Sequence, residues 1–182
     1  MFDKAKSRRG FLGLGLSAAA TLVVSNPVEA AVRRLPERQI HLYNTHTGET
    51  FKSVYWAEGH YQTKCIAQIS RFLRDHRNNQ VHPIDPKLLD LMTSVQRKVG
   101  AKGPIHIICG YRSPTTNAIM ASLSDGVATQ SLHTQGKAVD IRLPGHGTRM
   151  VGRAALSLKG GGVGMYPESD FVHIDTGRVR TW

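Results

Sequence analysis

The sequence has 182 residues, of which 40% are hydrophobic and 20% are charged, and this composition excludes an intrinsically disordered chain. Its 2 cysteines exclude a disulfide scaffold, and no apolar run reaches the roughly 18–20 residues that each span of a polytopic membrane protein needs. The net charge of +11 indicates an anionic partner, and the length favours one domain.

Residues 1–30 have the features of an export signal. A basic start that includes Arg8 and Arg9 precedes a mild apolar run over 11–24, and small residues then predict cleavage before Ala31. The segment 7–12 resembles the twin-arginine signal, whose export machinery carries folded proteins to the periplasm. The alternative is a basic amphipathic helix lying on a membrane. With cleavage, we expect a mature domain over 31–182 with no stable membrane insertion.

The first half of the mature segment predicts two strands and then two helices. Residues 40–43 and 50–55 alternate as strands around an Asn-Thr-His-Thr-Gly turn, which predicts a hairpin. Over 61–77 the apolar period is that of a helix. Asp85 and Pro86 predict the cap and first residue of a second helix, which ends at Gly100. The apolar faces predict core residues: Ile66, Ile69, Phe72 and Leu73 in the first helix, and Leu88, Leu89, Met92, Val95 and Val99 in the second.

The second half alternates short strands with helices. Because helices separate the strands irregularly and some strands pair in hairpins, the pattern favours an α+β domain over a doubly wound sheet. We expect a small antiparallel sheet with helices packed on it. The predicted strands lie at 104–109, 138–143, 163–166 and 171–176, the helices at 115–123 and 148–158, and a polar loop at 125–134.

The two cysteines allow two interpretations. Cys65 falls in the first predicted helix and Cys109 ends a predicted strand. An exported protein can join such a pair in a disulfide, while two buried thiols can equally serve as small apolar residues. The sequence leaves both possibilities open.

Two segments near the carboxyl end place metal-ligating side chains on strands. In the first, His133 ends a loop and Asp140 lies on a strand, and Gly136 lets the backbone between them turn. In the second, His173 and Asp175 share one strand face, with apolar residues on the other. Two imidazoles and one carboxylate are the usual protein ligands of a catalytic zinc. The alternative is that each is a core or surface residue, as we expect for the other histidines: His41, His46, His60, His76, His82 and His106.

Three motifs carry a resemblance to a known family: Ser-x-His-x-x-Gly-x-Ala-x-Asp at 131–140, then Gly-Gly-Val-Gly-x-Tyr-Pro, then Phe-Val-His-Ile-Asp. Together they resemble the zinc D-Ala-D-Ala carboxypeptidase and L,D-endopeptidase superfamily. The chain is most similar to the murein endopeptidase K-like family. That resemblance implies a hedgehog/DD-peptidase-like fold and one zinc held by His133, Asp140 and His173. It also implies cleavage of peptidoglycan stem-peptide cross-links, including diaminopimelate–diaminopimelate and D-Ala–diaminopimelate bonds. Other segments that carry the resemblance are 42–49, 72–75, 110–113 and Trp182.

The resemblance also implies a general base. The superfamily places an acidic residue ahead of the last zinc-binding histidine, and Asp170 stands three positions before His173. Asp175 competes for this role, although its position is better suited to orienting a ligand imidazole. Glu168 is expected to face solvent.

Arg112 follows a strand in the sequence Gly-Tyr-Arg-Ser. Related enzymes use such an arginine to hold the scissile carbonyl oxygen or a substrate carboxylate, and a fixed fork of N–H donors suits both tasks. The alternative is a surface salt bridge. Ser113 and Ser131 lie outside any Gly-x-Ser-x-Gly elbow, so a serine nucleophile is not expected.

Three other functions compete with this one. A D,D- or L,D-carboxypeptidase would trim stem-peptide ends with the same metal ligands. A non-catalytic cell-wall binding module would be indicated by a lost zinc ligand, and none of the three is lost. Nucleic-acid binding is disfavoured because the basic chain has an export signal and no recognised binding motif.

Overall fold

The computed structural model describes residues 36–124 and 126–182. The predicted export signal lies outside the described residues. The helices are α1 (Thr63–Phe72), α2 (Pro86–Val99), α3 (Pro114–Leu123) and α4 (Thr148–Leu158), with a 3-10 helix at Leu132–Gln135. The strands are β1 (Arg38–Asn44), β2 (Thr50–Ala57), β3 (His60–Tyr61), β4 (Ile105–Cys109), β5 (Ala138–Arg142), β6 (Gly162–Tyr166), β7 (Phe171–Asp175) and β8 (Arg180–Thr181).

The α+β class is confirmed, but the predicted small antiparallel sheet is wrong in detail. The described strands form one mixed sheet of 8 strands in the order β3-β2-β1-β4-β5-β7-β6-β8. Strand β1 runs parallel to β4, and β6 runs parallel to β8. Parallel neighbours need a crossover connection, and α1 with α2 provides it between β3 and β4. The hairpin pattern in the sequence does not reveal which strands such a crossover brings together.

The second predicted helix is confirmed at both ends, while the first is shorter than expected. The Asp85 side chain accepts a hydrogen bond from the Lys87 backbone N–H at 3.0 Å, and Gly100 ends α2 with a φ of 76°. Helix α1 ends at Phe72 because Asp75 organises a turn beyond it. The buried Asp75 carboxylate accepts the backbone N–H of Arg77 at 3.1 Å.

The apolar core lies on the face of the sheet opposite the polar strand residues. Helices α1, α2 and α4 contact the sheet, and the predicted helix faces contribute buried core residues. On β5 and β7 the alternation is confirmed, because Val139, Ile141, Val172 and Ile174 are all in the core. Asp140 and His173 therefore project from the other face, supported by a packed layer behind them.

Both cysteines are free and buried. Cys65 lies on α1 and packs in the core. Cys109 is the last residue of β4 and pairs with Asp140 on β5. The structure therefore decides the open question in favour of unpaired thiols. Across 36–124 and 126–182, no helix combines the length and apolarity required to cross a membrane.

Candidate metal centre

Strand pairing places the candidate ligands in one row across the sheet. Asp140 on β5 lies opposite His173 on β7, and His173 lies opposite Gly164 on β6. A Cβ on Gly164 would stand only 2.7 Å from the nearest atoms of the Trp182 ring. The glycine therefore lets the Trp182 ring approach the His173 ring, with 5.2 Å between the ring centroids.

The 3-10 helix brings His133 to this row from outside the sheet. Ser131 precedes the helix and its hydroxyl accepts the His133 backbone N–H at 3.3 Å. Gly136 ends it with a φ of 65°, which confirms the turn expected there. The His133 Nδ1–H donates to the Gly110 carbonyl oxygen at 2.7 Å. Because a carbonyl can only accept, the lone pair of His133 is on Nε2.

The His173 ring is held from the opposite direction. Its Nε2 lies 3.1 Å from Asp175 Oδ2, and Asp175 is completely buried. Asp175 also accepts the backbone N–H groups of Gly162 and Gly177 and both terminal nitrogens of Arg180. Burial opposes the charge, but these donors together with His173 lower the pKa of Asp175 below its usual range. An ionised Asp175 makes Nε2 the donor and leaves the lone pair of His173 on Nδ1.

Three acceptor atoms therefore face one another. His173 Nδ1 lies 2.9 Å from Asp140 Oδ1 and 3.1 Å from His133 Nε2, and His133 Nε2 lies 3.3 Å from Asp140 Oδ1. Lone pairs at these distances repel unless a positive charge lies between them. This donor set therefore fits a metal cation, with each imidazole oriented by a further partner.

The pKa shifts agree with this geometry. Burial disfavours the charged form of His133, but the Asp140 carboxylate outweighs it and raises the pKa of His133 well above its usual value. Burial likewise disfavours the Asp140 carboxylate, and the two histidines lower its pKa below the usual range. The cluster is thus stabilised by a positive charge, carried by a proton or by a metal ion.

Cys109 is a site residue that the sequence did not reveal. One ligand atom each of Cys109, His133 and Asp140 lies within 4.8 Å of the others. Ile107 pairs with Ile141, yet Cys109 pairs with Asp140, so β4 contains a bulge of one residue. A bulge turns the next side chain to the other face of a sheet. Strand alternation in the sequence would have placed Cys109 with the core, so no local signal marked it.

A cavity of about 630 Å³ opens beside the three candidate ligands. Because β4 lies on one side of β5 and the β6–β7 pair on the other, the cavity has two walls of different composition. On the β6 and β7 side the wall is aromatic, from Tyr166, Phe171 and Trp182. On the β4 side it is basic, and the lining there includes His46, Arg77 and Arg112.

Arg112 is buried in the wall of this cavity, so the surface salt bridge is excluded. Its Nη1 donates to the Asn117 side-chain oxygen at 3.2 Å. Asn117 donates in turn to the carbonyls of Ala128 and Thr129, both at 3.1 Å. The Nε of Arg112 is buried and has no hydrogen-bond partner within the described part of the chain. An unpaired buried donor of this kind is costly unless a ligand accepts from it.

Comparison with known proteins shows which family the chain belongs to. A family model described as peptidoglycan L,D-endopeptidase MepK matches residues 33–182. The chain belongs to this family. Peptidoglycan L,D-endopeptidase MepK of Escherichia coli (strain K12) is 39% identical over 176 residues, which cover 97% of each chain. A probable peptidoglycan L,D-endopeptidase MepK of Haemophilus influenzae is 38% identical over 178 residues, covering 97% of this chain and 96% of the relative.

Asp170, the predicted general base, does not line the cavity beside the three candidate ligands. Its carboxylate pairs with Arg142 Nε at 2.8 Å and accepts the Thr148 hydroxyl at 3.1 Å. The side chain is 59% exposed. Asp175, the competing candidate, lies at the Nε2 of His173, whereas Asp140 and His133 lie at its Nδ1.

The remaining predictions concern residues for which the sequence indicated no catalytic or metal-binding role. Ser113 caps α3 and Ser131 caps the 3-10 helix, which explains both serines without a nucleophile. Glu168 is exposed, as expected. Among the other histidines, His46 stacks on His76 at 4.0 Å between ring centroids, and His106 packs against Tyr43 at 4.9 Å.

Proposed function

We propose that this protein is a zinc-dependent endopeptidase that hydrolyses peptide cross-links between peptidoglycan stem peptides. One observation carries the proposal: the lone pairs of two imidazoles and one carboxylate converge within 3.3 Å beside an open cavity. Family membership supports the substrate class, because the relatives are named peptidoglycan L,D-endopeptidases. The term L,D-endopeptidase describes cleavage of a bond between an L centre and a D centre, and the diaminopimelate–diaminopimelate cross-link is such a bond.

In the proposal, His133 Nε2, Asp140 Oδ1 and His173 Nδ1 hold one zinc per chain. A structural zinc is normally closed by four ligands, commonly thiolates, whereas this set leaves a position open. When bound, zinc supplies a Lewis acid and lowers the pKa of a coordinated water to about 7. Asp175 and the Gly110 carbonyl keep both imidazoles in the tautomer that exposes the required lone pair.

Arg112 stabilises the negative charge that develops on the scissile carbonyl oxygen. Its Nε is the buried donor without a partner in the described chain, and Asn117 fixes the guanidinium before substrate arrives. A donor that needs no rearrangement during the reaction gives the largest electrostatic benefit. The alternative task, holding a substrate carboxylate, uses the same donor.

Asp170 accepts the proton of the attacking water and returns it to the leaving amine. It is the solvent-accessible acid on the strand end that leads to His173, whereas Asp175 is buried and fully engaged. The role requires the Asp170 carboxylate to turn away from Arg142. Catalytic hydrogen bonds often form only in the complex with substrate, so the pairing with Arg142 describes the resting arrangement.

The test is digestion of purified muropeptide dimers, followed by chromatography. An endopeptidase converts cross-linked dimers into monomers and leaves the monomers intact. Loss of one terminal residue from monomers would instead identify a carboxypeptidase. Retention on peptidoglycan without any change in the chromatogram would identify a binding module and overturn the proposed function.

We also propose that the twin-arginine route exports the protein to the periplasm, where its substrate is. Replacing both Arg8 and Arg9 by Lys should leave the precursor in the cytoplasm, because this export route recognises the arginine pair. The measurement is cell fractionation with an antibody to the mature domain. Normal amounts of mature protein in the periplasm would contradict the assignment.

A further inference from the structure

The arginines of the cavity wall lack the carboxylate hydrogen bonds that other arginines of the described chain make. Outside the cavity wall, Arg38, Arg74, Arg142 and Arg180 each have a carboxylate oxygen within 2.7–2.9 Å. In the wall, the nearest acidic oxygen to Arg77 is Asp75 Oδ1 at 3.8 Å, which is beyond hydrogen-bond distance. Arg77 is also 39% exposed, so its guanidinium is accessible from the cavity and has no hydrogen-bonded carboxylate among the described residues.

Asp75 accepts hydrogen bonds from the backbone and makes none with the Arg77 guanidinium, although it lies within ion-pair distance. Its Oδ1 accepts the Arg77 backbone N–H at 3.1 Å, and its Oδ2 accepts the Ser113 backbone N–H at 3.0 Å. The carboxylate is fully buried behind the turn. It therefore fixes the backbone at Arg77 and leaves the N–H donors of the guanidinium available for a second acceptor.

The surroundings of Arg77 are otherwise basic or neutral. Among the described lining residues, Asp140 is the single carboxylate, and it belongs to the metal centre. Burial, Arg77 and His46 together lower the pKa of the neighbouring His76 to about 4, so that His76 is neutral at pH 7. A cavity side with two guanidinium groups and no free carboxylate in its described lining attracts an anionic ligand.

We propose that Arg77 binds a free carboxylate of the stem peptide, so that the enzyme prefers stems whose carboxyl groups are not amidated. The proposal rests on the proposed function, because it names a further substrate contact of the same cavity. Stem peptides carry two such carboxylates, on D-Glu and on diaminopimelate, and a guanidinium pairs with either through two parallel N–H donors. Amidation removes the charge and one acceptor oxygen but changes the size of the group little.

The experiment measures kcat/KM on three cross-linked dimers: one with free carboxyl groups, one amidated at diaminopimelate and one amidated at D-Glu. The wild-type enzyme should cleave one of the amidated dimers about 10-fold to 100-fold more slowly, and that dimer identifies the carboxylate. Arg77→Gln should lower kcat/KM on the free dimer by the same factor. On the discriminated dimer it should change kcat/KM by less than about twofold, because the partner of Arg77 is already absent there.

Two further variants separate binding from folding. Arg77→Lys keeps the charge and should retain part of the preference for the free dimer, since a lysine supplies a point charge without the fork. Arg153→Gln removes an exposed arginine of α4 that does not line the cavity, and it should leave all three rates unchanged. The melting temperature and zinc content of Arg77→Gln should equal those of the wild type.

The outcomes are distinct. An equal loss of kcat/KM on all three dimers would mean that Arg77 supports the structure, and no loss on any would mean that it does not contact substrate. Either result overturns the inference while the enzyme still cleaves. If the wild type cleaves none of the dimers, the proposed function fails, and this inference fails with it.

Discussion

Two carboxylates in this molecule, the half-buried Asp90 and the buried Asp140, have opposite surroundings. Asp90 on α2 is surrounded by donors: Arg38 Nη1 at 2.7 Å, the Tyr55 hydroxyl at 2.9 Å and the Tyr61 hydroxyl at 2.6 Å. Asp140 on β5 instead faces two imidazole nitrogens whose other ring nitrogens are already donating. The Asp90 cluster is complete as it stands, whereas the Asp140 cluster is complete only with an added cation. A carboxylate held by several donors therefore does not mark a functional site, but the convergence of acceptors does.

The difference between the Asp90 and Asp140 clusters predicts that substitution of the three proposed zinc ligands lowers activity most. His133→Ala, Asp140→Ala or His173→Ala leaves two ligands, so zinc affinity should fall by more than about 100-fold and cross-link cleavage should be lost. His106→Ala is the control, because its ring packs on Tyr43 and should bind no zinc. Elemental analysis and the muropeptide assay measure both properties. Full zinc content in all three variants would contradict the site.

The next largest effect is expected at Asp170. Asp170→Ala should keep zinc and lower turnover by about 10²–10⁴, the usual contribution of a positioned general base. Arg142→Gln is the matched control, because it breaks the same ion pair but leaves the carboxylate in place. Its turnover should stay within about threefold of the wild type. If both variants lose activity equally, Asp170 acts through its pairing with Arg142 and is not the base.

Asp175 should show a smaller effect of another kind. Asp175→Asn weakens the acceptor of the His173 Nε2–H, so zinc affinity should fall by about 10-fold to 100-fold. Activity should be partly restored by added zinc, as measured by chelator competition beside the cleavage assay. An Asp175→Asn variant that binds zinc normally and is inactive, with Asp170→Ala fully active, would reverse the two roles.

The smallest effect on activity is expected at Asp90. Asp90→Asn should leave cleavage unchanged and lower the free energy of unfolding by about 2 kcal/mol at pH 7, since charged hydrogen bonds are lost. Burial raises the pKa of Asp90, but the two tyrosines and Arg38 outweigh it and lower the pKa. Asp90 therefore stabilises the fold above the unfolded pKa of about 3.9, and this contribution disappears as the pH falls through the lower folded pKa.

Urea denaturation at pH 7 and pH 3 checks this prediction. The difference between the wild type and Asp90→Asn should be smaller at pH 3. Asp140 and Asp175 also titrate in acid, but they are present in both proteins and cancel in the difference. A difference that is the same at both pH values would mean that the Asp90 charge does not contribute.

The parts of the fold that could be predicted are those fixed by short-range pattern. Helix α4 has the predicted bounds, Asp85 and Pro86 begin α2, and the apolar faces of β5 and β7 are buried as expected. Helix α1 ends earlier than predicted, and the turn after it is held by Asp75, which accepts the Ser113 backbone N–H across a long sequence separation. Local periodicity contains no information on such a contact.

The sequence by itself determined the ligand candidates and their faces. Alternation along β5 and β7 and the turn at Gly136 are local properties, and they placed His133, Asp140 and His173 in positions from which they could converge. Only the tertiary structure decided that Cys109 lies beside them and that Arg77 and Arg112 share one cavity wall. The bulge in β4 places Cys109, and the turn held by Asp75 places Arg77. Both depend on pairing between distant segments, which becomes defined only when the sheet has formed.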